Sequence, residues 1–138
     1  MDWPVEVIPD EDFLYHRIHQ TFIRSNEIYA AAFVNRPKGS LSMSVDWAKY
    51  AMPEDTKARA KKPSENAIVR FVAGEVRTVP GQKVEHSPNL SENNRAHADI
   101  IGEKTAEVRT LLSRICLTMI PLEQGAHQPQ PSSPLKQA

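Results

Sequence analysis

The sequence predicts a single α+β domain: a small mixed or antiparallel sheet covered by a C-terminal amphipathic helix and one or two short helices. Three observations predict it. Residues 13–19 and 67–73 are β-prone runs, the first with period-two alternation. A stripe of apolar residues recurs at helical spacing towards the C-terminal end, and 138 residues suit one hydrophobic core rather than two. The stripe comprises Val108, Leu111, Leu112, Ile115, Cys116 and Met119, with Glu107, Arg109, Thr110, Ser113 and Arg114 opposite. An isolated helix of that length is marginal in water, so it must lay the stripe on a sheet. The helix is expected to run from a turn at Gly102 to the stop signal at Pro121, after a short strand at residues 96–101.

Each earlier element has its own local cause. Residues 1–12, with Pro4, Pro9 and the acidic group Asp10-Glu11-Asp12, read as an extended lead-in. In the strand at 13–19, Leu14, His16 and Ile18 share one face, and Phe13, Tyr15, Arg17 and His19 the other. Residues 28–34 form a second apolar run, closed by a loop over 35–40 and expected to pair with the first strand. Ser42 and Ser44 flank Met43 as in a short strand, and Ser44 is also a good N-cap for a helix from Val45 with Trp47, Ala48 and Ala51 facing inward. Pro53 suits the first turn of another helix. Glu54 and Asp55 sit near its start and Lys57, Arg59, Lys61 and Lys62 towards its end, the order that complements the helix dipole. Residues 67–73 read as the central strand, 75–79 as a continuation of the sheet or one helical turn, and 82–86 as a short strand ended by Pro88. The Pro-, Gln- and Ser-rich stretch 122–138 is expected to be a disordered tail, leaving 13–121 as the domain.

Composition narrows the functional classes. Formal charge is zero, from 17 basic and 17 acidic residues, so no whole-protein field draws in nucleic acid or an anionic membrane. The lone Cys116 fits a reducing compartment. No leader and no run of about 18 apolar residues is present, so a cytoplasmic, non-membrane protein is expected. Phosphate-binding glycine loops, nucleophile-elbow serines, paired cysteines and helical His-Glu-x-x-His are all missing. The spacing of His16, His19, His86 and His97 matches no familiar zinc pattern, and neither metal nor cofactor is expected. His19-Gln20-Thr21 lacks the second His-x-Thr/Ser copy that a two-histidine phosphoesterase needs.

The polar residues beside strands are the site candidates: Arg17, His19, Ser44, Asp46 and His97, expected to line one pocket. Leu14-Tyr15-His16-Arg17 and Leu41-Ser42-Met43-Ser44-Val45-Asp46-Trp47-Ala48, followed by a late acid at Asp99 or Glu103, resemble the layout of ADP-ribosyltransferase-like folds. That resemblance implies pyrophosphate contact for Arg17, nicotinamide-ribose support for Ser44, and ribose contact or stabilisation of an oxocarbenium-like state by the acid. The succession Leu14-Tyr15-His16-Arg17-Ile18-His19, Ala30-Ala31-Ala32-Phe33, Leu41-Ser42-Met43-Ser44-Val45-Asp46 and Ala96-His97-Ala98-Asp99-Ile100-Ile101-Gly102 is similar to a family of small, standalone, uncharacterised bacterial proteins, which implies one compact domain.

The favoured expectation is a small intracellular binding or accessory protein with a protein partner. The alternative is an ADP-ribosyltransferase-like enzyme using NAD. A third is a nucleic-acid-binding module contacting phosphates through Lys57, Arg59, Lys61 and Lys62 and stacking bases on Phe13 and Tyr15.

Overall fold

A computed structural model describes residues 2–123. The expected tail falls outside them except for its first two residues. The strands are β1 (Phe13–His19), β2 (Ile23–Arg24), β3 (Glu27–Ile28), β4 (Ser42–Trp47), β5 (Asn66–Val72), β6 (Lys83–His86), β7 (His97–Ile101) and β8 (Leu117–Ile120). The helices are α1 (Pro53–Ala58), α2 (Ala73–Arg77) and α3 (Ala106–Ile115). Six strands form one antiparallel sheet in the order β6-β7-β4-β1-β5-β8, and β2 and β3 form a separate hairpin. The α+β class holds, with the antiparallel alternative realised.

Alternation splits the sheet into two chemically different faces. Leu14 and Ile18 of β1, Met43, Val45 and Trp47 of β4, Val69 and Phe71 of β5, and Ala98 and Ile100 of β7 are buried in one core, joined by Val76 of α2 and by Val108 and Leu112 of α3. Phe33 meets Phe71 edge to face at 5.8 Å. The opposite face carries Tyr15, Arg17, Ser44, Asp46, His97 and Asp99, because register pairs set Tyr15 against Asp46, Asp46 against His97, and Ser44 against Asp99. α1 lies over this polar face, where Thr56 bonds to Asp46 and Lys57 to the Asn66 carbonyl.

Four expectations need correction. The C-terminal helix is shorter than its apolar stripe: Thr105 caps its start through Val108 N, and Cys116 leaves it in extended conformation. Residues 117–120 form an edge strand on β5, with Met119 40% exposed. A longer helix would strand the outer backbone groups of Val69 and Arg70, and satisfying them overrides the local periodicity. Residues 28–34 are not a strand on β1. After the tight β2–β3 turn, where Ser25 and Asn26 take positive φ, Ala30–Ala32 coil into a 3-10 turn that seats Phe33 in the core. Ser44 caps no helix, since β4 continues to Trp47 with Met43, Val45 and Trp47 alternately buried. The centre of the sheet is β4 and β1, with β5 next to the edge.

The turn between β7 and α3 does depend on its glycine. Gly102 has φ +149°, and a Cβ there would lie 2.3 Å from the Gly81 carbonyl oxygen. The buried Lys104 ammonium closes the same turn by donating to the Ile100 and Gly102 carbonyls, and burial lowers its pKa to about 8.

Candidate functional site

The two central strands run together only briefly. β1 pairs with β4 at Leu14–Trp47 and Tyr15–Asp46, and the register ends there, although β1 stays paired with β5 as far as His19–Asn66. The next same-face pair would have been Arg17 against Ser44. At the parting the His16 ring turns into the gap and Nδ1–H donates to the Ser44 carbonyl at 2.9 Å, replacing a ladder bond. Its neighbours are Phe33 and Phe71, with ring centroids 6.0 and 6.4 Å away. The residue keeps a strip of accessible surface while its ring is enclosed by protein. Burial, with the Arg17 charge acting the same way and the Ser44 bond opposing, pushes its pKa from 6.5 down to about 4.

A cleft of about 650 Å³ opens over this parting. Arg17, Ser44, Asp46 and His97 line it, so four of the five candidate residues come together. His19 is placed elsewhere: Nδ1 faces Thr21 Oγ1 at 3.0 Å and Nε2 faces Glu65 Oε1 at 3.1 Å, outside the cleft lining. Glu103 and Asp99 are also outside the lining, and Asp99 meets the cleft only through Arg36, which lines it and donates to Asp99 Oδ1.

Two hydrogen-bond systems organise the floor. In the first, Asp46 is 4% exposed and accepts from Thr56 Oγ1 at 2.7 Å and Asn94 Nδ2 at 2.9 Å, which ties α1 and the β6–β7 loop to β4. In the second, Arg36 Nη1 donates to Ser44 Oγ at 2.8 Å and to Asp99 Oδ1 at 2.7 Å. Ser87 Oγ donates to Asp99 Oδ2 at 2.7 Å, His97 Nδ1 lies 2.9 Å from both Ser87 oxygens, and His97 Nε2 lies 3.3 Å from Ser44 Oγ.

The rim is cationic. Arg17 and Arg59 both line the cleft, and among the described residues each makes one long side-chain bond, 3.4 Å, to the backbone carbonyls of Thr56 and Glu92 respectively. Their remaining donors suit a carboxylate or phosphate. The basic run at the end of α1 is not one patch. Lys57 Nζ is committed to the Pro63 and Asn66 carbonyls and approaches Glu123, while Arg59 turns into the cleft. Tyr15 is buried and Phe13 lies under the Arg70 guanidinium at 4.2 Å, so neither ring is open for base stacking.

Sequence reasoning missed Arg36, Thr56, Ser87 and Asn94. They lie outside the strands that carry the candidates, and their partners are as many as 63 residues away in the chain. Among the described residues no group of three or more His, Cys, Asp or Glu is placed to hold a metal ion, and no helix is long and apolar enough to cross a membrane. Comparison with protein-family models, with curated proteins and with solved structures finds no match.

Proposed function

We propose that the cleft binds NAD and that the chain is an ADP-ribosyltransferase-like enzyme. The observation that carries this reading is the parting of β1 and β4, with Arg17 on one bank and Ser44 on the other. These are the residues to which the resemblance assigns the pyrophosphate and the nicotinamide ribose. A cleft of about 650 Å³ falls within the usual size range of cofactor and ligand pockets. Arg17 and Arg59 supply the charge a pyrophosphate requires. Cleavage of the bond between ribose C1′ and the nicotinamide nitrogen releases neutral nicotinamide and leaves positive charge on the ribose. A fixed carboxylate beside the ribose stabilises that charge. Of the two late acids to which the resemblance gives that duty, Asp99 and Glu103, Asp99 is the one paired with Ser44 in the β4–β7 register.

The test is a thermal-shift titration with NAD combined with an assay for nicotinamide release. NAD should raise the melting temperature, Arg17→Ala should abolish the rise, and free nicotinamide should accumulate with the wild-type chain. Absence of any NAD-dependent shift overturns the reading.

One observation favours a second reading, a binding protein without chemistry. Both carboxylate oxygens of Asp99 are already taken, by Arg36 and Ser87. In that reading the arginines hold an anionic small molecule that leaves unchanged, and NAD binds without nicotinamide release.

A further inference from the structure

The hydrogens around His97 are fixed by its neighbours. Ser87 Oγ gives its own hydrogen to Asp99 Oδ2, so towards His97 Nδ1 it acts as an acceptor. The Ser87 carbonyl, 2.9 Å from the same nitrogen, is an acceptor too. Nδ1 therefore carries hydrogen, and the neutral ring presents the Nε2 lone pair to Ser44 Oγ, 3.3 Å away. Arg36 has donors alone, so its 2.8 Å bond uses a lone pair of Ser44 Oγ and leaves the serine hydrogen free to point at Nε2. The guanidinium also favours the deprotonated oxygen. Ser44 keeps accessible surface on the cleft floor.

That is a nucleophile, a base oriented to receive its proton, and a third group holding the base in the required tautomer, arranged beside space for a substrate. We propose that Ser44 is an activated nucleophile for electrophilic acyl and phosphoryl centres, with His97 as its general base. In the acyl case, Oγ attacks the carbonyl carbon and its proton passes to His97 Nε2. The bond to the leaving alkoxy group then breaks, and the departing alcohol takes the proton back from His97. Water repeats the sequence on the acyl-serine and releases the carboxylic acid. This chemistry uses no NAD and stands on the geometry of Ser44, His97, Ser87 and Arg36.

The test is covalent labelling of the full chain with a fluorophosphonate, in which the Ser44 oxygen displaces fluoride from phosphorus. The expected result is one adduct, mapped by peptide mass spectrometry to Ser44, lost in Ser44→Ala and formed roughly a hundredfold more slowly in His97→Gln, the scale of losing a general base. Ser42→Ala should label like the wild type, and melting curves establish that each variant is folded. An unlabelled wild type overturns the proposal without reference to any variant, as does His97→Gln labelling at the wild-type rate. Labelling with no NAD binding would sink the NAD reading alone, and NAD binding with no labelling would sink this one alone.

Discussion

The two sides of β1 are built on different principles. Towards β5 the strand is paired at seven positions, from Phe13–Val72 to His19–Asn66, while towards β4 it is paired at two. Backbone hydrogen bonds with apolar packing behind them hold the first seam. Side chains hold the second: His16 fills the gap, and Asp46 ties Thr56 and Asn94 across its margin. A ladder repeats and leaves no room, whereas a seam closed by side chains can be open where a ligand must enter. The candidate site occupies the second seam because that is where the sheet leaves backbone and polar groups accessible.

Removing apolar volume behind the closed seam is the most damaging way to test the contrast. Phe71 is fully buried on β5, packed edge to face on Phe33. Phe71→Ala should cost ~3–5 kcal/mol in denaturant unfolding, from lost transfer energy and the cavity left behind. A cost below ~1 kcal/mol would mean that this seam is not packed as described.

The open seam should instead respond to pH through His16. Its folded pKa is depressed to about 4 from 6.5, so above the unfolded value both states are neutral and the contribution is fully present. As pH falls from about 6.5 towards 4, the unfolded chain takes a proton that the folded ring refuses, and stability declines by at most roughly 3 kcal/mol, at about 1.4 kcal/mol per unit. Below pH 4 this loss levels off. His16→Phe places a non-titrating ring between Phe33 and Phe71, so between pH 7 and 4.5 the variant should lose less stability than the wild type. Equal losses in the two proteins would remove His16 as the cause.

These two seams were not equally legible in the sequence. β1 and β5 announce themselves, because period-two alternation and a β-branched run state a strand regardless of partner, and the helix stripe correctly marks Val108 and Leu112 as core. The parting of β1 from β4 leaves no local signal, since residues 16–19 alternate equally well with or without a neighbour. Ser44 has N-cap chemistry, and what makes it a strand residue is the pairing with β7, 55 residues along the chain at Asp99. The edge strand at 117–120 was hidden for a related reason: Cys116 and Met119 continue a helical period that the exposed edge of β5 overrules. Arg17, Ser44, Asp46 and His97 could be singled out as polar groups beside strands. Their division of labour, with Asp46 a strut and Ser44 facing His97, depends on Thr56, Asn94, Arg36 and Ser87, which only the tertiary fold brings in.

That division predicts an intermediate effect at Asp46. Asp46→Ala leaves Thr56 Oγ1 and Asn94 Nδ2 without their acceptor in a buried place, at a cost of about 1–3 kcal/mol in unfolding free energy. Ser44→Ala should cost less, because Arg36 retains Asp99 and the serine is partly exposed. If instead Asp46→Ala left the melting temperature untouched, Asp46 would be a site residue rather than a strut between α1 and the β6–β7 loop.

The smallest effect on stability, and the sharpest on function, belongs to Arg17. It projects from the part of β1 that has lost β4, and its 3.4 Å contact with the Thr56 carbonyl is too long to hold α1 in place. Arg17→Ala should therefore leave the melting temperature of the free protein where it is and abolish the rise that NAD produces. Arg17→Lys, which keeps the charge and loses the planar fork, should restore part of that rise. A fall in the free protein's melting temperature would recast Arg17 as a brace between β1 and α1, and the open seam would then be held from both of its banks.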